Sequence, residues 1–376
     1  MGEHMYSIEE VSEAMKEINN IEQRMLDDLS KQIFQIYLNN ILYGGWMFRP
    51  TFYHELSDTV VGFNTLSYVN DVGEVEKIHS GESFVLYGAG YMAVKNIEIC
   101  NETGINILYC VDSDPDKCGK YLEVNDKKYE IKPPSCLKDV NVRIIVSSIK
   151  FKDEITELLK NKGVKDQNIV KAGSFWKTRE PQYFDFLKPR EKECYVDVGG
   201  WIGDSVFDFV KWCEINGKEY EKIHVIEGDP INYNKLQYNL KEEKINKVNS
   251  YNCCAGSYNG ESMFFSNCGC GSSSYSTETD GEEMIEVQIK SLDSILNGER
   301  CSFLKIDVEG AEMDVLVGAR ETIKTFKPRI AVCVYHRFVD ILVLPKYLLS
   351  LVPEYHFYLR HYYSDFSETV LYAIPD

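Results

Sequence analysis

Carboxylates recur in this chain at the ends of short apolar runs, each followed by small or turn-forming residues. Tyr195-Val196-Asp197-Val198-Gly199-Gly200-Trp201-Ile202-Gly203-Asp204-Ser205 places an acid beside three glycines, and an apolar, helix-compatible stretch follows (Val206, Phe207, Phe209, Val210). Glycines let a backbone turn tightly and approach a ligand with no Cβ in the way. Amides at the start of the helix then face the ligand, and Asp197 adds a fixed negative charge beside them. The spacing is Asp-x-Gly-x-x-x-Gly, without the lysine and Ser/Thr that a phosphate-binding loop requires. A carboxylate on such a cradle suits a cationic ligand better than a pyrophosphate. S-adenosylmethionine, with its sulfonium and α-ammonium groups, is the expected occupant.

Two further strand ends carry acids. Ile223-His224-Val225-Ile226 leads into Glu227, then Gly228-Asp229-Pro230 and a helical pattern from Ile231 to Leu240. An acid about 20 or more residues past the glycines, at the tip of the second strand, accepts hydrogen bonds from ribose hydroxyls. Gly199, Gly200, Gly203, Asp197, Glu227 and Asp229, together with Asp307 further along the chain, are therefore expected at the cofactor, with the carboxylates of Asp197, Glu227 and Asp307 converging around it. Phe303-Leu304-Lys305-Ile306-Asp307-Val308-Glu309-Gly310-Ala311-Glu312 is the third acidic tip. If its strand lies beside 194–198, Asp307 and Glu309 share the crevice with Asp197, because ligands of doubly wound sheets bind where the strand order reverses. The plainer role of Glu309 and Glu312 is to favour a helix N-terminus. Val332-Cys333-Val334-Tyr335-His336 ends one strand further on. A histidine titrates near neutrality, so His336 is the first choice for a general base and Glu309 the second.

The elements that must position these groups alternate. Strands are expected at 194–198, 223–227, 249–254, 303–307, 329–335, 355–359 and 368–374, with helices in most gaps, which gives an α/β, mostly parallel sheet. The last two strands lie too close in sequence for a helical crossover, so one of them should run antiparallel. Upstream, Phe84-Val85-Leu86-Tyr87, Gly88-Ala89-Gly90 and Ile107–Asp112 form a smaller Rossmann-like unit with a second nucleotide-type turn. Gly88, Gly90 and Asp112 there fit a dinucleotide fingerprint, or the glycines serve only tight strand–helix packing. The expected division is a helical segment over 1–75, the small unit over 76–175, a linker over 176–193 and the main domain from 194 to 376. The helical segment offers a face to a neighbouring domain or a second subunit, which leaves a homo-oligomer open.

Composition narrows the partners. The chain has 376 residues, 44% of them hydrophobic, and a formal net charge of −18, which disfavours nucleic acid and anionic membranes. No stretch reaches the length of a membrane span, and the N-terminus has no apolar signal core. The 12 cysteines are scattered, mostly in apolar runs, and read as reduced, buried thiols of a cytoplasmic protein. Cys253-Cys254 and Cys268-Gly269-Cys270 lack the spacing of a zinc site, and nothing in the sequence demands a metal. The small-residue loop 269–276 could serve as a lid over an acceptor or be an ordinary solvent loop.

Over about residues 190–376 the chain resembles the FkbM family of S-adenosylmethionine-dependent methyltransferases. The likeness rests on Val196–Ser205, Ile226-Glu227-Gly228-Asp229-Pro230, Ser291–Leu296 and, most specifically, Lys305-Ile306-Asp307-Val308-Glu309-Gly310-Ala311-Glu312. Trp201 and Gly228 depart from the expected pattern. The resemblance implies a seven-stranded methyltransferase sheet and O-methylation, often of a sugar or secondary-metabolite hydroxyl. A small-molecule or saccharide acceptor is therefore expected. The alternatives are an NAD- or nucleotide-sugar-dependent oxidoreductase centred on Gly88, Gly90 and Asp112, or a non-catalytic cofactor-binding protein.

Overall fold

The computed structural model describes residues 8–44, 52–60, 62–70, 75–137, 141–148, 150–171, 175–184, 186–266, 284–364 and 367–376. The chain divides into two compact units: one holds Met1–Thr59, Pro181–His361 and Phe366–Asp376, the other Val60–Glu180 and Tyr362–Asp365. Each is described separately.

In the larger unit, α1 (Ile8–Gln23), α2 (Asp28–Gly44) and α3 (Phe52–Ser57) open the chain. In the smaller unit, β1 (Thr65–Val69), β2 (Val75–His79) and β9 (Trp176–Thr178) form a three-stranded antiparallel sheet. Strand β1 thus starts inside the span expected to be helical, and β9 lies inside the expected linker. The alternation in Thr65-Leu66-Ser67-Tyr68 has the period of a strand; all four residues are buried, with Leu66 and Tyr68 in the apolar core. A doubly wound sheet fills the rest of this unit, with β3 (Ser83–Tyr87), α4 (Tyr91–Glu102), β4 (Asn106–Val111), β5 (Tyr121–Val124), β6 (Lys127–Lys132), β7 (Ile144–Val146), α5 (Lys152–Asn161) and β8 (Ile169–Val170). Its order is β5-β6-β4-β3-β7-β8, parallel except for the β5–β6 hairpin.

The large unit is built on β10 (Glu193–Val198), α6 (Asp204–Ile215), β11 (Tyr220–Glu227), α7 (Pro230–Glu242) and β12 (Val248–Asn252). A small sheet of β13 (Cys254–Ala255), β14 (Ser262–Ser266) and β15 (Met284–Lys290) follows, then α8 (Leu292–Leu296), β16 (Phe303–Ile306), α9 (Glu312–Gly318), α10 (Arg320–Phe326), β17 (Arg329–Cys333), α11 (Asp340–Leu351), β18 (His356–His361) and β19 (Thr369–Ile374). The main sheet has seven strands in the order β12-β11-β10-β16-β17-β19-β18. Strand β19 alone runs antiparallel to its neighbours, as the short link between the last two strands requires.

Every residue of β10, β16 and β17 is buried, as expected of central parallel strands covered on both faces. On one face, Tyr195 stacks on Phe209 with ring centroids 4.3 Å apart, and Phe184, Trp212 and Phe303 join them. This aromatic layer fixes α6 against β10. On the other face, Val196, Val198, Leu304, Ile306, Ile330 and Val332 share a core with Ile33, Phe34 and Tyr37 of α2. The α1–α2 turn also covers the edge strand: Leu26 N–H donates to the Phe357 carbonyl and Phe357 N–H to that of Arg24, both at 2.9 Å. An exposed strand edge invites pairing with other chains, and this contact removes the invitation.

Candidate active site

The strand order reverses between β10 and β16, and the acidic tips flank that point. Their backbones are stitched together. Gly199 and Gly200 N–H both donate to the Ile226 carbonyl at 3.0 Å, and Asp307 N–H donates to Val198 at 3.0 Å. Gly199 has φ +83°, and a Cβ there would sit 1.8 Å from the Asp307 carbonyl oxygen. A Cβ on Gly200 would meet Val225 Cγ2 at 2.2 Å. These glycines are therefore required by protein–protein approach within the turn, where sequence reasoning had a ligand in view. Gly203, at φ +98°, is the N-cap of α6.

Asp197 does not open onto the crevice as expected. It is fully buried, its Oδ1 lies 3.1 Å from Lys305 Nζ, and its Oδ2 accepts from Ser205 Oγ at 2.5 Å. The cause is register: Asp197 and Lys305 are direct partners on adjacent parallel strands. A lysine buried in an apolar strand must find a charge. Burial alone would lower the Lys305 ammonium, but Asp197 and Asp307 overcome this and hold it raised. The same ammonium donates to the Gly199 carbonyl, so it pins the glycine turn from below.

Glu227 ends β11 nearly buried, and each carboxylate oxygen accepts one backbone N–H: Trp201 on Oε2 and Asp229 on Oε1, both at 2.8 Å. Burial pushes this carboxyl up to about 7, against the pull of those two N–H groups. One further lone pair per oxygen is the acceptor pattern a vicinal diol needs. Asp229, also expected at the cofactor, caps α7 by accepting from Ile231 N–H at 2.7 Å and Asn232 N–H at 3.3 Å. Trp201 adopts φ +43° and remains 42% exposed beside this turn.

The tips of β16 and β17 gather a second group. Asp307 Oδ2 accepts from the buried Tyr183 hydroxyl at 2.9 Å, and its Oδ1 lies 3.8 Å from His336 Nε2. Glu309 Oε2 lies 3.4 Å from the same nitrogen. His336 Nδ1 is 2.8 Å from Glu312 Oε1, which also accepts from Val308 and Gly310 N–H at 3.2 and 3.3 Å. Burial pulls the imidazole down, but the Glu309 and Glu312 carboxylates and the Asp307 charge outweigh it and carry His336 up to about 10. An imidazolium has no lone pair for a proton, so His336 in this state is not the base that its position suggested. Glu312, read from sequence as a helix-terminus charge, orients it. Tyr183 was hidden in the expected linker. Although no metal set stood out in the sequence, single ligand atoms of Asp307, Glu312 and His336 lie within 4.8 Å of one another.

In the smaller unit, Gly88 (φ +104°) would bring a Cβ within 3.0 Å of the Ser147 carbonyl, while nothing stands within 4 Å of a Cβ on Gly90. Asp112 Oδ2 takes Ala89 N–H at 2.8 Å and Lys117 Nζ at 2.9 Å, and Oδ1 takes Asp114 N–H at 2.9 Å. The acid thus ties the glycine turn to its own strand end. The loop 269–276 and Cys268-Gly269-Cys270 lie outside the described residues. Cys253 and Cys254 are free thiols. Among the described residues no helix is long and apolar enough to cross a membrane.

Residues 197–362 match the model of the methyltransferase FkbM domain. No curated protein sequence matches the chain. Among solved structures, the methyltransferase FkbM of Methylobacillus flagellatus KT is similar at 16% identity, covering 92% of this chain and 99% of that one, with a TM-score of 0.44. Aeropyrum pernix fibrillarin, solved with natively bound S-adenosyl-L-methionine, is similar at 11% identity over 50% of this chain and 69% of that one, with a TM-score of 0.33. The acid-tipped switch point lies within the matched residues: residues 197–362 form a methyltransferase FkbM domain, and the chain is an S-adenosylmethionine-dependent methyltransferase.

Proposed function

We propose that this enzyme methylates a hydroxyl group of a saccharide, nucleotide sugar or related metabolite. The observation that carries the reading is the cluster of Asp307, Glu309 and His336 at the tips of β16 and β17. Carboxylates accept hydrogen bonds from sugar hydroxyls and a protonated imidazole donates to them. S-adenosylmethionine, when bound, supplies a methyl group activated by its sulfonium. Glu227 would take the ribose diol, with the turn 199–203 below it. Asp307, anchored by Tyr183, would orient the acceptor hydroxyl, since alignment alone can supply several kcal/mol. Glu309 has 64% of its side chain exposed and would take the hydroxyl proton, a role closed to His336 while it is protonated. His336 would then stabilise the carboxylates on either side.

The test is a mass-spectrometric assay with S-adenosylmethionine and a panel of saccharides and nucleotide sugars. Methyl ethers should form, and Glu309→Gln should slow their formation with cofactor affinity retained. Tight cofactor binding with methylation only of nitrogen or carbon nucleophiles would overturn the reading.

A further inference from the structure

Strand β19 runs against its neighbours, so its first residues lie at the same end of the sheet as the carboxyl tips of β16 and β17. Glu368 immediately precedes it. Val334 N–H donates to the Thr369 carbonyl at 2.9 Å, which fixes the start of β19 beside the β17 tip. The Thr369 hydroxyl accepts from Tyr37 at 2.9 Å and lies 2.8 Å from His361 Nδ1. Glu368 itself has φ +62°, in the left-handed region. A non-glycine residue stays there only where its surroundings hold it.

This placement brings Glu368, half-buried, beside Asp307. One carboxylate oxygen of each, and the Cys333 sulfur, lie within 4.8 Å of one another. Both acids are held by neutral donors. Glu368 Oε1 accepts from the Tyr335 hydroxyl at 3.2 Å and Oε2 from Gln182 Nε2, while Asp307 Oδ2 accepts from Tyr183. Gln182 is fixed in turn, because the Tyr372 hydroxyl donates to its carbonyl at 2.6 Å. A carboxylate oxygen has two lone pairs, so both acids keep acceptor capacity after these bonds. Asp307 has 22% of its side chain exposed, which leaves the pair open to a ligand. Burial and the Asp307 charge raise the Glu368 carboxyl, against Gln182, Tyr335 and His336. Two acids this close repel each other until a ligand offers them hydrogens.

We propose that Glu368 is a further acceptor-binding residue, which with Asp307 brackets a vicinal diol and holds the hydroxyl next to the one that is methylated. The inference rests on the proposed O-methyl transfer and deepens it, naming the acceptor as two adjacent hydroxyls of a sugar ring. Hydroxyl hydrogen bonds span roughly 2.7–2.8 Å, so acceptor oxygens no more than 4.8 Å apart each reach one of two neighbouring hydroxyls. An anionic neighbour is repelled by both carboxylates. The protonated His336, 3.8 Å from Asp307, disfavours an ammonium. A lone hydroxyl leaves one of the two acids without its donor.

The experiment offers wild type and Glu368→Gln a set of methyl hexopyranosides, each beside its mono-deoxy and 2-amino-2-deoxy derivatives. Methyl transfer is followed by mass spectrometry, with S-adenosylhomocysteine affinity and circular dichroism measured on the same samples. Deleting the hydroxyl next to the methylated position should lower kcat/KM of wild type at least roughly a hundredfold, and deleting a remote hydroxyl should change it little. In Glu368→Gln that preference should shrink by roughly ten- to a hundredfold, with S-adenosylhomocysteine affinity retained. A merely structural role would slow both acceptors alike and leave the preference as it is. If Glu368→Gln does not fold, the deoxy series on wild type decides the same question. Equal use of the diol and its deoxy derivative, better use of the amino derivative, or a preference unchanged in the variant overturns the diol site and leaves hydroxyl methylation standing. S-adenosylhomocysteine binding without methylation of any hydroxyl would instead sink the O-methyl reading, and this inference with it.

Discussion

Asp197 and Lys305 face each other across adjacent parallel strands and form an ion pair buried beneath the glycine turn, Nζ to Oδ1 3.1 Å. Lys305→Met removes the cation but leaves the carboxylate in the dry interior. Removing one partner of a buried pair costs about 3–5 kcal/mol. The double variant Asp197→Asn/Lys305→Met should lose less than the two singles together, because no lone charge remains. Urea unfolding measures both effects. A Lys305→Met midpoint equal to wild type would show that Asp197 is not charged in the fold.

That pair marks the boundary of what the sequence discloses. Apolar runs bounded by turn residues locate the tips of β10, β11, β16 and β17, and the short gap before Thr369 implies the antiparallel strand. What a side chain faces depends on register and on partners far along the chain, neither of which leaves a local pattern. Lys305 therefore looked like one more motif residue, and Asp197 like a ligand group. Tyr183 reaches Asp307 across 124 positions. Similarly, Ser30 Oγ accepts Leu359 N–H at 2.9 Å and Asp27 pairs with Arg360, 333 positions away. The helical character of 8–44 was legible from its period, but its place on β18 was not.

Gly199→Ala tests whether the turn is as tight as its contacts imply. The substitution asks an L-residue to hold φ +83° and puts its Cβ 1.8 Å from the Asp307 carbonyl oxygen. Backbone strain of this kind costs about 1–3 kcal/mol, and the clash adds to it by moving Asp307. Thermal denaturation should show a clear loss of stability, and methyl transfer should fall further than cofactor affinity. Wild-type stability would mean that the loop relaxes freely.

The proposed place of Glu227 at the ribose predicts a pH dependence of cofactor binding. Its carboxyl, lifted to about 7 by burial and by Asp229, with Lys305 opposing, is neutral in the unliganded protein below that point. An ionised carboxylate can accept from both hydroxyls of a diol, and the neutral form accepts less well. Affinity for S-adenosylhomocysteine should therefore rise as pH increases through about 7. The sign for stability is the reverse. The folded state keeps a proton that the unfolded chain has released, so this group's contribution declines from its ordinary range up to about 7. Calorimetric titrations at several pH values should lose the rise in Glu227→Gln, and a rise that survives there assigns it to another group.

Tyr183→Phe separates anchoring of the acceptor from binding of the cofactor. The phenol donates to Asp307 Oδ2 at 2.9 Å from a buried position, and Lys305 Nζ lies 5.4 Å from the centre of its ring. Phenylalanine keeps the ring and its packing but deletes the donor. Hydrogen bonds to charged groups contribute about 1.5–3 kcal/mol, equivalent to roughly ten- to a hundredfold in rate if the bond serves only to hold Asp307 in its productive orientation. Turnover should drop within that range with S-adenosylhomocysteine affinity close to wild type, because Glu227 and the glycine turn are untouched. Equal losses in turnover and affinity would place Asp307 at the cofactor rather than the acceptor. An unchanged turnover would mean that Asp307 is held well enough by its backbone bond to Val198 and needs no hydroxyl behind it.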